Sequence, residues 1–189
     1  MPATTETPVT DTDLTQETID RVIARLDVGD IQHVVVATTS GETGVRFAEG
    51  LFEGGAHVVA VTHHVGFKGG DFDQLEAAHR KRIEKLGADI VTAGHALSGV
   101  PRSISKTFGG SSPAEIIAHT LRLFGQGMKV CVEISVMAAD AGCIPTDRDV
   151  ICVGGTGRGA DTAVVLRPAH MNVFFETRIR EVLCFPSGT

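Results

Sequence analysis

His33-Val34-Val35-Val36-Ala37-Thr38-Thr39-Ser40-Gly41-Glu42-Thr43-Gly44 is the stretch that decides the fold. Residues 31–37 form a short β-branched run without polar alternation, the pattern of a strand buried on both faces. Hydroxyl residues and a glycine follow, and a helical pattern then covers 43–53. A buried strand passing through a short loop into a helix is the opening unit of a parallel α/β sheet.

The same unit recurs downstream. His57 to Val61 reads as a second buried strand, Phe72 to Leu86 as an amphipathic helix ended by Gly87, and Ala88 to Thr92 as a third strand. Upstream, Asp13 to Leu26 carries apolar residues at helical spacing, with Asp13 as N-cap. Residues 1–12 are rich in Thr, Asp and Glu and read as a disordered tail.

The second half changes character. Pro113 to Phe124 is expected to be a helix capped by Ser111 or Ser112. Met128 to Ala141 is apolar or small nearly all round, so it reads as a buried helix, closed by Gly142. Asp149 to Val153, Thr162 to Arg167 and Arg178 to Phe185 read as strands. No helix separates the last strands, so they are expected to pair antiparallel. No internal repeat or long linker divides residues 13–189, which are read as one α/β domain.

Composition excludes several functions. The chain has 189 residues, 42% hydrophobic and 21% charged, with a net charge of −6. No basic stripe is available to track a nucleic acid. Trp and Tyr are absent, so base-stacking platforms are not expected. No secretory signal and no membrane-length apolar run is visible, which predicts a cytoplasmic protein without membrane contact. Cys131, Cys143, Cys152 and Cys184 lack C-x-x-C spacing and read as plain buried thiols.

Four loops could carry chemistry. The first is Thr38, Thr39, Ser40, Gly41, Glu42 and Thr43, where hydroxyls and a helix N-terminus favour a phosphate. The competing reading is a capping box, with Thr39 as N-cap and Glu42 three residues on. The second is Gly154 to Asp161. Gly155, Gly157 and Ala160 fit a dinucleotide fingerprint, but that motif must open a helix, and a strand follows here. What remains is a loop of Gly155, Thr156, Gly157 and Gly159 with Arg158 as a guanidinium clamp, or a tight strand connection.

The third loop holds His95, Ser98, Gly99 and Arg102 after the third strand, at the sheet edge where ligands sit. A Ser–His hydrolase is disfavoured, because G-x-S-x-G is missing. The fourth holds Thr62, His63, His64 and Phe67. Adjacent histidines in an extended segment do not easily share a metal, and no metal site is expected. Glu133 and Asp140 are seven apart on one face of the near-apolar helix, with Met137 between. They read either as helix-to-loop hydrogen bonds or as ligand recognition and acid–base work.

These motifs carry a resemblance. The stretch from His33 to Gly44, followed by His57 to Thr62, resembles the carboxyl-terminal domain of pyruvate kinase. In that domain the matching loop holds an effector's phosphate, which implies the role for Thr38, Thr39, Ser40, Gly41 and Thr43. Over 13–186 the chain is similar to a small stand-alone family, mostly archaeal and bacterial, built on that domain. Its marks are residues 39–44, 62–64, 95–99, 121–127 and 154–161. The implied fold is a three-layer α/β/α sandwich with a mostly parallel mixed sheet.

The implied ligand is flavin mononucleotide (FMN), with no established reaction. The barrel domain of pyruvate kinase is missing, so a kinase label does not follow. The resemblance would give the phosphate to 38–44, assisted by Arg158 or Arg102. Loops 62–67, 95–99 and 154–159 would line the ribityl chain and ring, with His63 or His95 donating to a ring oxygen. The alternative is a non-catalytic sensor of a sugar phosphate or nucleotide. In either case the partner is a phosphate-bearing small molecule. A homo-oligomer suits such a domain, although no interface pattern is visible.

Overall fold

The computed structural model describes residues 13–186. The expected disordered tail, 1–12, lies outside them. Six strands form one sheet in the order β3-β2-β1-β4-β5-β6. The strands are β1 His33–Ala37, β2 His57–Thr62, β3 Asp89–Thr92, β4 Val150–Gly154, β5 Thr162–Arg167 and β6 Arg178–Cys184. The first four are parallel, and β5 and β6 turn antiparallel as expected.

Alternation along each strand builds two cores. Val34 and Val36 of β1 join Val58, Ile151 and Val165 on one face. That face is covered by helix α1 (Thr15–Leu26) through Ile19 and Val22, α2 (Glu42–Gly50) through Phe47 and Ala48, and α3 (Ala77–Lys85) through Ile83. Val35 points the other way and meets Val59, Val91, Cys152 and Leu166. There α6 (Gln126–Asp140) lies against the sheet through Met128, Cys131, Ile134 and Met137. The result is the expected α/β/α sandwich. Helix α6 is buried along most of its length, so its pattern is apolar nearly all round, with Lys129, Glu133 and Ser135 as buried polar exceptions.

Several local expectations are corrected. Residues 99–103, read as part of the third loop, open a helix, α4 (Gly99–Phe108). Its Gly99 and Pro101 fall in the first turn, where a missing N–H does no harm. Residues 72–76, read as helix, are not helical, and α3 begins only at Ala77. Asp13 lies one residue before the N-cap position, Leu14, yet its carboxylate accepts the Thr15 N–H at 2.9 Å. Ser112 caps α5 (Pro113–Arg122) in a capping box with Glu115. Residues 171–176 form an unexpected 3₁₀ segment. Of the four free cysteines, Cys131 and Cys152 are buried, whereas Cys143 and Cys184 are only half-buried. Among the described residues, no helix is long and apolar enough to cross a membrane.

Candidate functional site

Strand β1 has its parallel neighbours β2 and β4 on opposite sides, so the chain direction of the connections reverses between β1 and β4. Loops leaving two such strands diverge and open a crevice at the carboxyl edge of the sheet. A cavity of about 730 Å³ lies there. It is within the range that holds a cofactor-sized ligand.

The cavity gathers most of the expected residues. Thr38, Thr39, Ser40, Glu42 and Thr43 line it after β1, Thr62, His63 and Phe67 after β2, and His95, Ser98 and Arg102 after β3. Gly155, Thr156, Gly157, Arg158 and Gly159 line it after β4. Gly41, His64 and Gly99 are not among the lining residues.

The first loop is not a capping box. Gly41, not Thr39, is the N-cap of α2, with φ at +101°. A Cβ at Gly41 would lie 2.5 Å from the His79 Cβ and 2.7 Å from a Leu75 methyl. Glycine is therefore needed for the turn and for the approach of α3, away from the cavity. Ser40 Oγ accepts the Glu42 N–H at 3.4 Å and Thr38 Oγ1 accepts the Gly44 N–H at 3.3 Å. Both bonds are long, so an anion's oxygens could replace them at the α2 N-terminus.

The glycine loop is held by its own packing. A Cβ on Gly155 would lie 2.6 Å from the Gly159 carbonyl oxygen, and one on Gly159 would overlap Thr15 of α1. Only Gly157 faces open space. Asp161 closes the loop by accepting the Thr156 N–H at 2.9 Å. Two of the three glycines at 155–159 are thus explained by backbone crowding, and Gly157 alone is open for ligand approach.

Four rings form a cluster, and three of them, His63, Phe67 and His95, line the cavity. His63 and Phe67 stack with centroids 3.9 Å apart, and Phe67 and His95 stack at 5.3 Å. His64 meets Phe67 and His95 edge-on. His63 donates to Gln74 Oε1 at 2.9 Å, which fixes its ring. Burial pushes the His95 imidazole down to about 4 against the pull of Glu133, with His63, Lys129 and His64 adding to the fall.

Sequence reading missed the cavity's other cations. Lys129 is 3% exposed and pairs with the equally buried Glu133 one helical turn on. Arg122, at the end of α5, donates to Gln126 at the start of α6 at 2.6 Å and also lines the cavity. The signal for Lys129 was a cation placed four residues before a carboxylate on an otherwise apolar helix. Glu133 makes the expected helix-to-loop bonds, accepting the Leu97 N–H at 2.8 Å and the Ser98 hydroxyl at 3.3 Å. Asp140 does not join it. It accepts from His170 at 2.9 Å and from the Met171 N–H, outside the cavity, so the two carboxylates form no acid–base pair. Among the described residues, no group of three His, Cys, Asp or Glu side chains is placed to hold a metal.

The family model of the pyruvate kinase alpha/beta domain matches residues 17–166. The chain belongs to that family. The match begins within α1 and ends in β5, so it spans the parallel strands and every loop of the cavity. The pyruvate kinase alpha/beta domain here also carries β6, beyond the matched residues, as an edge strand on β5.

Proposed function

We propose that the cavity binds a phosphate-bearing cofactor, FMN, and that the protein is a flavin-dependent redox protein rather than a pyruvate kinase. The observation that carries the phosphate is one of charge. The protein has a net charge of −6, yet Lys68, Arg102, Arg122, Lys129 and Arg158 face only Glu42, Glu76 and Glu133 across the cavity. Such an excess of cations in a cavity that a helix N-terminus also lines attracts a multiply charged anion.

In this reading Thr39, Ser40 and Thr43 bind the phosphate at α2, with Arg158 or Arg102 closing over it. The stacked rings of His63, Phe67 and His95 fit one face of a flat heteroaromatic ring. Bound flavin would supply electron or hydride transfer. Neutral His95, kept uncharged by burial, can donate one hydrogen bond to a ring oxygen without adding charge. His63 is held by Gln74 and covers the ring stack.

A second reading keeps the phosphate and changes the rest: a sensor of a sugar phosphate or nucleotide. It is favoured by the hydroxyl-rich lining of Thr38, Thr39, Ser40, Thr43, Thr62, Ser98 and Thr156, which suits a polyhydroxy ligand. The visible spectrum of freshly purified protein, with the mass of any heat-released ligand, tests the choice. A flavin spectrum with the FMN mass supports the cofactor. A colourless protein indifferent to added FMN leaves the sensor.

A further inference from the structure

Beyond its share of the cavity's positive charge, Lys129 sits in an unusual setting. Long cationic side chains normally carry their charge out to water. The Lys129 side chain is instead 4% exposed, on a helix packed against the sheet, while still lining the cavity. Its Nζ is paired to Glu133 Oε2. Glu133 Oε1 is taken by the Leu97 N–H and the Ser98 hydroxyl, so that carboxylate cannot swing away. Beyond the pair stands His95, with Nδ1 3.9 Å from Glu133 Oε2.

We propose that Lys129 is a nucleophilic amine that captures the carbonyl of a small phosphate-bearing aldehyde or ketone as an imine, with Glu133 moving the protons. The phosphate half of this substrate class rests on the sugar-phosphate form of the anion-binding reading above, in which the site at α2 takes the substrate's phosphate in place of FMN's. The amine half rests on the buried pair. Burial lowers the Lys129 ammonium's proton affinity, Glu133 opposes this, and Arg122 and Arg102 reinforce it. A desolvated lysine beside other cations is the usual form of an imine-forming amine.

The step balances without an oxidant or reductant. The ammonium passes a proton to Glu133 Oε2, and the free amine attacks the carbonyl carbon. The C–N bond forms, and the carbonyl electron pair moves to oxygen, which takes the proton from Glu133. Nitrogen returns a proton to Glu133, which protonates the hydroxyl. The C–O bond breaks, water leaves, and a protonated imine remains. Ammonium and carbonyl have become iminium and water, with unchanged charge.

The test is reductive trapping of the intact protein with glyceraldehyde 3-phosphate and borohydride, read by peptide mass spectrometry. Borohydride adds hydride to an imine and fixes it as a secondary amine. The adduct should concentrate on Lys129, with exposed Lys81, Lys85 and Lys106 at background and the cavity's more exposed Lys68 trapped less than Lys129. Lys129→Arg keeps the charge and the Glu133 partner, so the fold should survive while that adduct is lost. Glu133→Gln should slow trapping.

Trapping spread over surface lysines, or absent while FMN still binds, overturns the imine and leaves the anion site standing. Equal trapping at Lys129 by phosphate-free glyceraldehyde supports the imine and overturns the phosphate reading.

Discussion

Thr15 Oγ1 accepts the backbone N–H of Ala160 at 2.9 Å, joining the first turn of α1 to the end of the glycine loop. One turn on, the Thr18 hydroxyl donates to the Ala160 carbonyl at 3.2 Å. Both threonines are fully buried. A helix 145 residues upstream therefore fixes the loop that follows β4.

Thr15→Val should leave the Ala160 N–H buried without a partner. The cost should be about 1–3 kcal/mol in urea unfolding, with weaker FMN binding because the loop loses its anchor. Unchanged stability would mean that water replaces the hydroxyl and that the loop does not depend on α1.

Two glycines should separate fold from ligand. Gly41→Ala should destabilise by about 1–3 kcal/mol through its φ of +101° and the close His79 Cβ, whatever the ligand. Gly157 has open space around its missing Cβ, so Gly157→Val should change stability by only about 0.5 kcal/mol. If a ligand lies against the loop, that same change should weaken its binding. Thermal melts with and without FMN check both.

Stability should rise with pH across the histidine range. His95 is neutral in the fold down to about 4, whereas an unfolded histidine titrates near 6.5. The unfolded chain thus binds the extra proton between these values. The contribution is fully present above about 6.5 and is lost as pH falls toward about 4. His33, also lowered by burial and by nearby His57 and Arg148, adds to the same slope. The urea midpoint followed over this window should flatten in His95→Gln, leaving the His33 part.

Arg158 and Arg102 should separate as phosphate ligands by the size of their effects. Losing a charge-assisted bond costs about 1.5–3 kcal/mol, or roughly 10- to 100-fold in Kd. One of Arg158→Ala and Arg102→Ala should show this loss in an FMN titration. A similar small change in both would place the phosphate elsewhere in the cavity.

The parallel core was legible in the sequence because Val34 to Val36 and Val58 to Val61 are buried on both faces. The antiparallel end was legible because no helix separates β4 from β5. Helix α4 was not, since Gly99 and Pro101 look like breakers when they are in fact its first turn, and none of its residues is buried to leave a clear stripe. The 38–44 loop was read as phosphate-binding or capping. The alternation of Thr39 and Glu42 hid that Gly41, pressed against α3, ends the strand-to-helix turn. Most cavity residues from the four loops were found because a parallel sheet delivers its loops to one edge. Lys129 and Arg122 come from the far-face helices; the spacing of Lys129 and Glu133 marks a paired cation, but no local pattern reports that these helices pack across that edge.

The central claim is that the cavity holds FMN by its phosphate. The most direct measurement is a titration of the ligand-free protein with FMN and, separately, with riboflavin, which lacks only the phosphate. FMN should bind at least about tenfold more tightly, the worth of one charge-assisted bond. Equal affinities, or no binding of either, would contradict it.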